Sequence, residues 1–336
     1  MKKQVVKIVF LLIIAGLFLF ALTSCSPSAD SDKMLDKGAS LFTQGKFVDA
    51  TSCLRQYVFY HPDNYRAHFL LGQSVLSRAD ESKELYLARY YLNKARELAK
   101  NDKEREAADN AYADVQLLMG KGSRSAKVYL ESADRFAKKG KNAQAINLYL
   151  KAAGLYLVEE EYDDAEEAFS DGLKVTESEE QTAAMVLGQA TSLLLNEKAE
   201  KCLESLQKLP ANASSTKLCA TLDADFLRIS AEILSIEGER NITSFWKKEV
   251  NEGESQALEN KVRQLKQAEY NPDNSPSEQK AILMGRGWAL LGERLNDLAM
   301  TVLAREALTQ ARSLYNIAGR EDESMEIGEK LEKLEG

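Results

Sequence analysis

The chain has 336 residues, 44 % of them hydrophobic and 29 % charged, a balance that provides core-forming side chains and excludes a wholly disordered protein. Acidic residues outnumber basic ones, 52 to 44, for a net charge of −8, and such a surface repels nucleic acid, so that class of partner is not expected. Only five prolines occur, Leu, Ala, Glu and Lys dominate, and β-branched runs are nearly missing beyond residue 25, all of which predict an all-α fold.

The first 24 residues differ from the rest. Lys2, Lys3 and Lys7 precede the uncharged run IVFLLIIAGLFLFAL at 8–22, which reads as a secretory signal and is short for a membrane span. The residues LTSC at 22–25 resemble the bacterial lipobox. That resemblance implies cleavage before Cys25, a diacylglycerol on its thiol and a further acyl chain (palmitate-like) on its amine. Several chains anchor firmly where one anchors only marginally. Ser26 follows, with no aspartate to suggest inner-membrane retention, so an outer-membrane protein facing the periplasm is expected. The alternative is plain secretion with cleavage near Ala21. Loss of the signal removes three lysines and no acid, taking the net charge from −8 to −11. Residues 25–33 are expected to form a polar, lipidated tether.

Three cysteines remain, Cys53, Cys202 and Cys219. An odd number allows at most one internal disulfide, with Cys202 and Cys219 near enough in sequence to staple a hairpin. Cys53 reads as a small core residue, and no C-x-x-C is present.

From about Met34 apolar residues recur every three or four positions. Within this pattern Ala50, Ala145 and Ala165 are each followed four residues later by a bulky side chain: Leu54, Tyr149 and Phe169. A small residue stands twelve before each (Gly38, Ala133, Ala153), and Gly287 stands twelve before Ala299. Those small residues are expected where paired helices approach most closely. Pro62 ends the first unit. The second carries Leu71, Gly72, Ala88, Leu92 and Ala95, its turn lengthened by about four residues at DESK, 80–83. Helices near 142–157 and 162–175 share partners, and 187–206 is a further degenerate unit.

These spacings resemble the tetratricopeptide-repeat (TPR) family, with 31–64 the best match and repeats expected over 34–208. The resemblance implies stacked helical hairpins with a groove lined by the first helix of each hairpin, where a peptide or partner helix lies. On that face stand Leu35, Ala39 and Phe42, then Arg66, Phe69, Gln73 and Leu76, with Phe42 and Phe69 as aromatic anchors. Leu35 and Ala39 stand where the family's clamp for chaperone carboxylates has Lys and Asn, so that specificity is not implied.

The run KLPANASST at 208–216 is the clearest break, and 217–336 is expected to form degenerate helical hairpins. There Ser275 and Glu278 predict a capping box with Pro276 at the first helical position, Trp288 is expected to be buried, and 321–336 reads as a capping helix with a wet face. No phosphate loop, calcium loop or metal spacing occurs, and His61 and His68 are expected to pack or solvate. The chain is therefore read as a non-catalytic scaffold without cofactor or metal. It is expected to bind a protein partner in the envelope and the membrane through its lipid. A rival reading, a transport accessory or ligand carrier, predicts a closed apolar cavity among helices 217–336.

Overall fold

The computed structural model describes residues 29–79, 82–211, 213–236, 252–269 and 276–335. The predicted signal segment 1–24, Cys25, Ser275 and the first two residues of the 80–83 turn lie outside the described residues. Among the described residues there are fifteen helices and no strand, as the composition predicts. The chain divides into two compact units, one ending at Met119 and the other beginning at Gly120.

In the first unit α1 (Ala29–Thr43) pairs with α2 (Phe47–Tyr60), α3 (Tyr65–Leu76) pairs with α4 (Ser82–Leu98), and α5 (Asp102–Leu118) follows. The small residues stand where the repeat pattern requires them. A Cβ on Gly38 would lie 2.7 Å from Leu54 Cγ, and one on Gly72 would lie 2.6 Å from Leu92 Cγ. Each glycine thus admits the neighbouring leucine against helical backbone, and Ala50 and Ala88 are fully buried beside these contacts. Gly38 meets a residue sixteen positions on and Gly72 one twenty on, which is the four-residue turn insertion. Besides packing within hairpins, α1 touches α3 and α3 touches α5, so the three first helices form one layer. Side-chain caps open α3 and α5: Asn64 Oδ1 accepts from Ala67 N at 2.9 Å, and Asn101 Oδ1 from Glu104 N at 3.0 Å.

The second unit contains α6 (Gly122–Ala137), α7 (Asn142–Val158), α8 (Tyr162–Leu173), α9 (Glu179–Leu195), α10 (Ala199–Leu206), α11 (Ala224–Leu234), α12 (Glu252–Glu269), α13 (Glu278–Asp297), α14 (Thr301–Ile317) and α15 (Glu321–Glu335). Its centre is α9, where every residue from Ala183 to Leu195 is buried, as expected of a helix surrounded by protein. The polar groups on α9 are paired. Gln189 donates to Ser170 Oγ at 2.7 Å and accepts from Ser205 Oγ at 2.8 Å, while Thr191 Oγ1 accepts from Leu222 N at 3.1 Å. That last bond draws the 213–222 segment onto α9, and α11 packs on both α9 and α10. The break in composition at 208–216 is therefore a connection inside this unit.

One turn geometry recurs in both units. At Gly45, Gly140, Glu160, Glu197, Ala299 and Gly319 the backbone has φ between 57° and 73°. In each case the next residue's N–H bonds a carbonyl five residues back, such as Lys46 N to Leu41 O and Met300 N to Leu295 O, both at 2.9 Å. The positive-φ residue itself bonds three back, completing the Schellman pattern. Measured from this turn, the small residue lies seven before and the alanine five after: Gly38/Ala50, Ala133/Ala145, Ala153/Ala165 and Gly292/Ala304.

This corrects the expected pairing of Gly287 with Ala299. Ala299 is the turn residue, Gly287 instead faces Phe226, and the close approach is at Gly292, where a Cβ would lie 2.7 Å from Leu308 Cγ. The predicted cap of α13 also moves two residues, because Ser277 Oγ accepts from Lys280 N at 3.3 Å and the helix begins at Glu278. Trp288 is fully buried, edge-on to Phe226 with ring centroids 5.5 Å apart. All three described cysteines are free thiols, so Cys202 and Cys219 do not pair.

An L-residue in the left-handed region costs about 1–2 kcal/mol, and Ala299 is exposed at its turn. Ala299→Gly is therefore expected to stabilise the second unit by about 1 kcal/mol, read as a higher urea midpoint in the emission of Trp288.

Candidate partner-binding groove

The layer of α1, α3 and α5 carries the side chains that the repeat pattern assigned to a groove, and they differ in exposure. Leu35 does not face solvent: it is 8 % exposed and belongs to the core with Leu54, Leu71 and Leu92. Its apolar position on α1 follows the core stripe, so it supports the layer and does not line it. Phe42 and Phe69 are half-buried and both pack on that same core. Phe42 stands edge-on to Phe47 at 5.6 Å, and Phe69 stacks on Tyr65 at 5.8 Å with ring planes 13° apart. Gln73, Ala39 and Leu76 are also half-buried. Arg66 is exposed and reaches Asp36 on α1 at 3.5 Å; an exposed pair at that distance is weak and leaves the guanidinium open to another carboxylate.

Tyr65 is a residue that the repeat pattern did not single out. Its hydroxyl donates to Glu104 O on α5 at 2.9 Å, and burial, followed by the nearby Glu104 carboxylate, pushes its pKa up to about 12. It joins α3 to α5 and supports the Phe69 ring. The only sequence signal for it was an aromatic one helical turn before another.

Neither histidine is placed for chemistry. His68 is buried, with Nε2 2.8 Å from Pro62 O, and burial holds its pKa below the ordinary 6.5, so it is neutral at pH 7 and donates to that carbonyl. His61 stacks on Tyr57 at 4.4 Å. Of the cysteines, Cys202 is fully enclosed and burial pushes its thiol up to about 12, which removes it as a nucleophile. Cys53 Sγ lies 3.2 Å from Met34 O.

Two depressions lie elsewhere. One of about 600 Å³ between α1 and α2 is lined by Lys33, Met34, Leu41, Cys53 and Gln56, and none of the expected groove residues borders it. The other, about 840 Å³, lies in the second unit between α12 and the α13–α14 turn. Glu259, Arg263, Lys266 and Glu306 stand on its wall among Val262, Leu298 and Leu303. That lining mixes charged and apolar side chains. No described helix is long and apolar enough to cross a membrane.

Hairpins in register and first helices in one layer define a helical-repeat fold, with half-exposed aromatics on that layer. Residues 35–103 match the family model for the tetratricopeptide repeat, and this segment carries that repeat. No curated protein matches it. Among solved structures it is similar to a tetratricopeptide-repeat protein from Parabacteroides merdae, at 14 % identity and TM-score 0.43, over 89 % of this chain and all of that one. It is similar also to PilF of Pseudomonas aeruginosa, at 14 % identity and TM-score 0.34, over 71 % of this chain and 91 % of that one.

Proposed function

We propose that the protein is a lipid-anchored scaffold of the bacterial envelope, held through Cys25 at the outer membrane and facing the periplasm. In this reading it recruits a protein partner to the layer formed by α1, α3 and α5. The observation that carries the reading is the pair Phe42 and Phe69, half-exposed on a firmly packed layer of tetratricopeptide-repeat helices. Rigid aromatic rings lose little entropy on binding and dominate interface energetics. Beside them the open guanidinium of Arg66 suits a segment that is apolar with an acidic flank. The lipobox-like LTSC at 22–25 supports the anchor, and the net charge, −8 for the full sequence and more negative once the signal's lysines are lost, favours a protein over nucleic acid as partner. The chemistry of the chain is recruitment and not catalysis.

Crosslinking in intact cells followed by purification tests this. Wild type is expected to retain one partner that the Phe42→Glu, Phe69→Glu double variant recovers at least about tenfold less well, since a lost aromatic anchor costs about 2 kcal/mol. Val48→Glu, on the other layer and 63 % exposed, is expected to keep it. A folded double variant with undiminished recovery rules the groove out.

A further inference from the structure

The corner between α2 and α3 presents two aromatic rings that no packing in the first unit explains. Phe59 is 79 % exposed and Tyr60 67 % exposed, with their rings edge-on at 5.1 Å. They are not on a loose loop. Directly after them His68 Nε2 holds Pro62 O at 2.8 Å, Asn64 Nδ2 donates to Tyr57 Oη at 3.2 Å, and His61 stacks on Tyr57. The corner is thus pinned from three sides while its two largest apolar side chains face outward.

The antiparallel register of the first hairpin places this corner beside the start of α1. Cys53 Sγ lies 3.2 Å from Met34 O, and one turn further along α2 the Tyr57 hydroxyl senses the Asp32 carboxylate. Continuing that register brings Phe59 and Tyr60 abreast of the first turn of α1, which begins at Ala29. Four residue steps separate Ala29 from Cys25, a reach of at most about 14 Å even fully extended. A lipidated Cys25 therefore holds this end of the unit, and not the opposite end, within about two headgroup depths of the acyl boundary.

We propose that Phe59 and Tyr60 are a membrane-docking pair. They insert at the headgroup–acyl boundary of the leaflet that carries the anchor and fix how the first unit stands on the membrane. Tyrosine suits that depth because its ring is apolar and its hydroxyl stays wet. The contact is made by aromatic burial and not by charge, so the acidic net charge does not oppose it and added salt does not release it. This inference rests on the anchor of the proposed function but not on its groove.

The test uses the full chain, expressed with its own signal and returned from detergent to phosphatidylcholine vesicles bearing brominated acyl chains. Mass analysis of the mature N-terminal peptide reports acylation of Cys25. Tyr60→Trp and Val48→Trp are compared as emission added over wild type, whose own tryptophans are Trp246 and Trp288. Val48, also exposed, sits about 18 Å along α2 from Tyr60. The expected result is blue-shifted, bromine-quenched emission at Tyr60→Trp that persists in high salt, with unshifted, unquenched emission at Val48→Trp. An acylated Cys25 with unquenched Tyr60→Trp overturns the docking pair and leaves the anchor standing. Equal quenching of both variants overturns the orientation. A Cys25 without acyl chains overturns the anchor and the docking pair together.

Discussion

Asp109→Ala is expected to lower the stability of the first unit by about 3 kcal/mol, because it removes a carboxylate that bridges two arginines at a buried site. The Asp109 side chain is 1 % exposed, and its Oδ1 lies 2.6 Å from Arg96 Nε on α4 and 3.2 Å from Arg105 Nε on α5. Arg105 Nη1 also donates to Arg96 O at 3.0 Å, and the Arg96 guanidinium lies over the Tyr112 ring at 4.7 Å. Without the carboxylate the two cations face each other across the α4–α5 junction, and Arg96 is itself largely buried. Asp36→Ala provides the contrast. Its pair with Arg66 is exposed on both sides, and its loss is expected to change stability by no more than about 0.5 kcal/mol. Both tryptophans fall in the second unit, so urea unfolding of the first unit is followed by far-UV circular dichroism while Trp288 emission stays unchanged. Because α5 also holds Tyr65 through Glu104 O, the Asp109 variant is expected to loosen one wall of the groove as well. An Asp109→Ala protein whose first unit unfolds at the wild-type urea concentration would falsify the role given to this carboxylate.

The hairpins of the first unit were legible because packing there is local. Gly38, Ala50 and Leu54 meet across one turn, so a fixed offset along the chain reports a contact in space. Further along, the same offset misled. Ala299 follows Gly287 by twelve and satisfies the pattern, yet the turn is at Ala299 itself and the true pair is Gly292 with Ala304. Glycine marks the left-handed turn residue at 45, 140 and 319 and would have set the register there. Glutamate or alanine occupies that position at 160, 197 and 299, where φ is 63°, 57° and 61°, and nothing in the residue type announces it. The groove was half legible for a related reason. Apolar periodicity identifies the buried stripe of α1 but cannot separate Leu35, which is enclosed, from Phe42 at its edge. Tyr65 and the Arg96–Asp109–Arg105 cluster escaped notice because their value lies in which partner they reach, and spacing says little about that.

Arg286→Met is expected to destabilise the second unit by about 3 kcal/mol, and the reason lies in a contact that spans most of that unit's sequence. Arg286 on α13 has a side chain only 10 % exposed. Its Nη1 donates to Leu157 O at 2.8 Å, and its Nη2 donates to Val158 O at 3.1 Å and Glu160 Oε1 at 2.7 Å. The two carbonyls belong to the last turn of α7, where intrahelical donors run out and the dipole favours a cation; Leu157 O has besides this the long turn bond from Glu160 N at 3.4 Å. One guanidinium thus closes the end of a helix about 130 residues earlier in the chain. Charge-assisted bonds of this kind contribute about 1.5–3 kcal/mol each, and a buried carbonyl left unpaired costs about 1–3 kcal/mol. Methionine keeps the stem's packing and removes the cap together with the Glu160 pair and a hydrogen bond to the Tyr162 side chain. Glu160→Gln separates the ion pair from the cap. Glu160 is 59 % exposed, so losing its charge is expected to cost less than about 1 kcal/mol. Trp288, fully buried two residues from Arg286, reports the transition directly. A midpoint lowered as much by Glu160→Gln as by Arg286→Met would place the stabilisation in the ion pair and refute the helix-capping account.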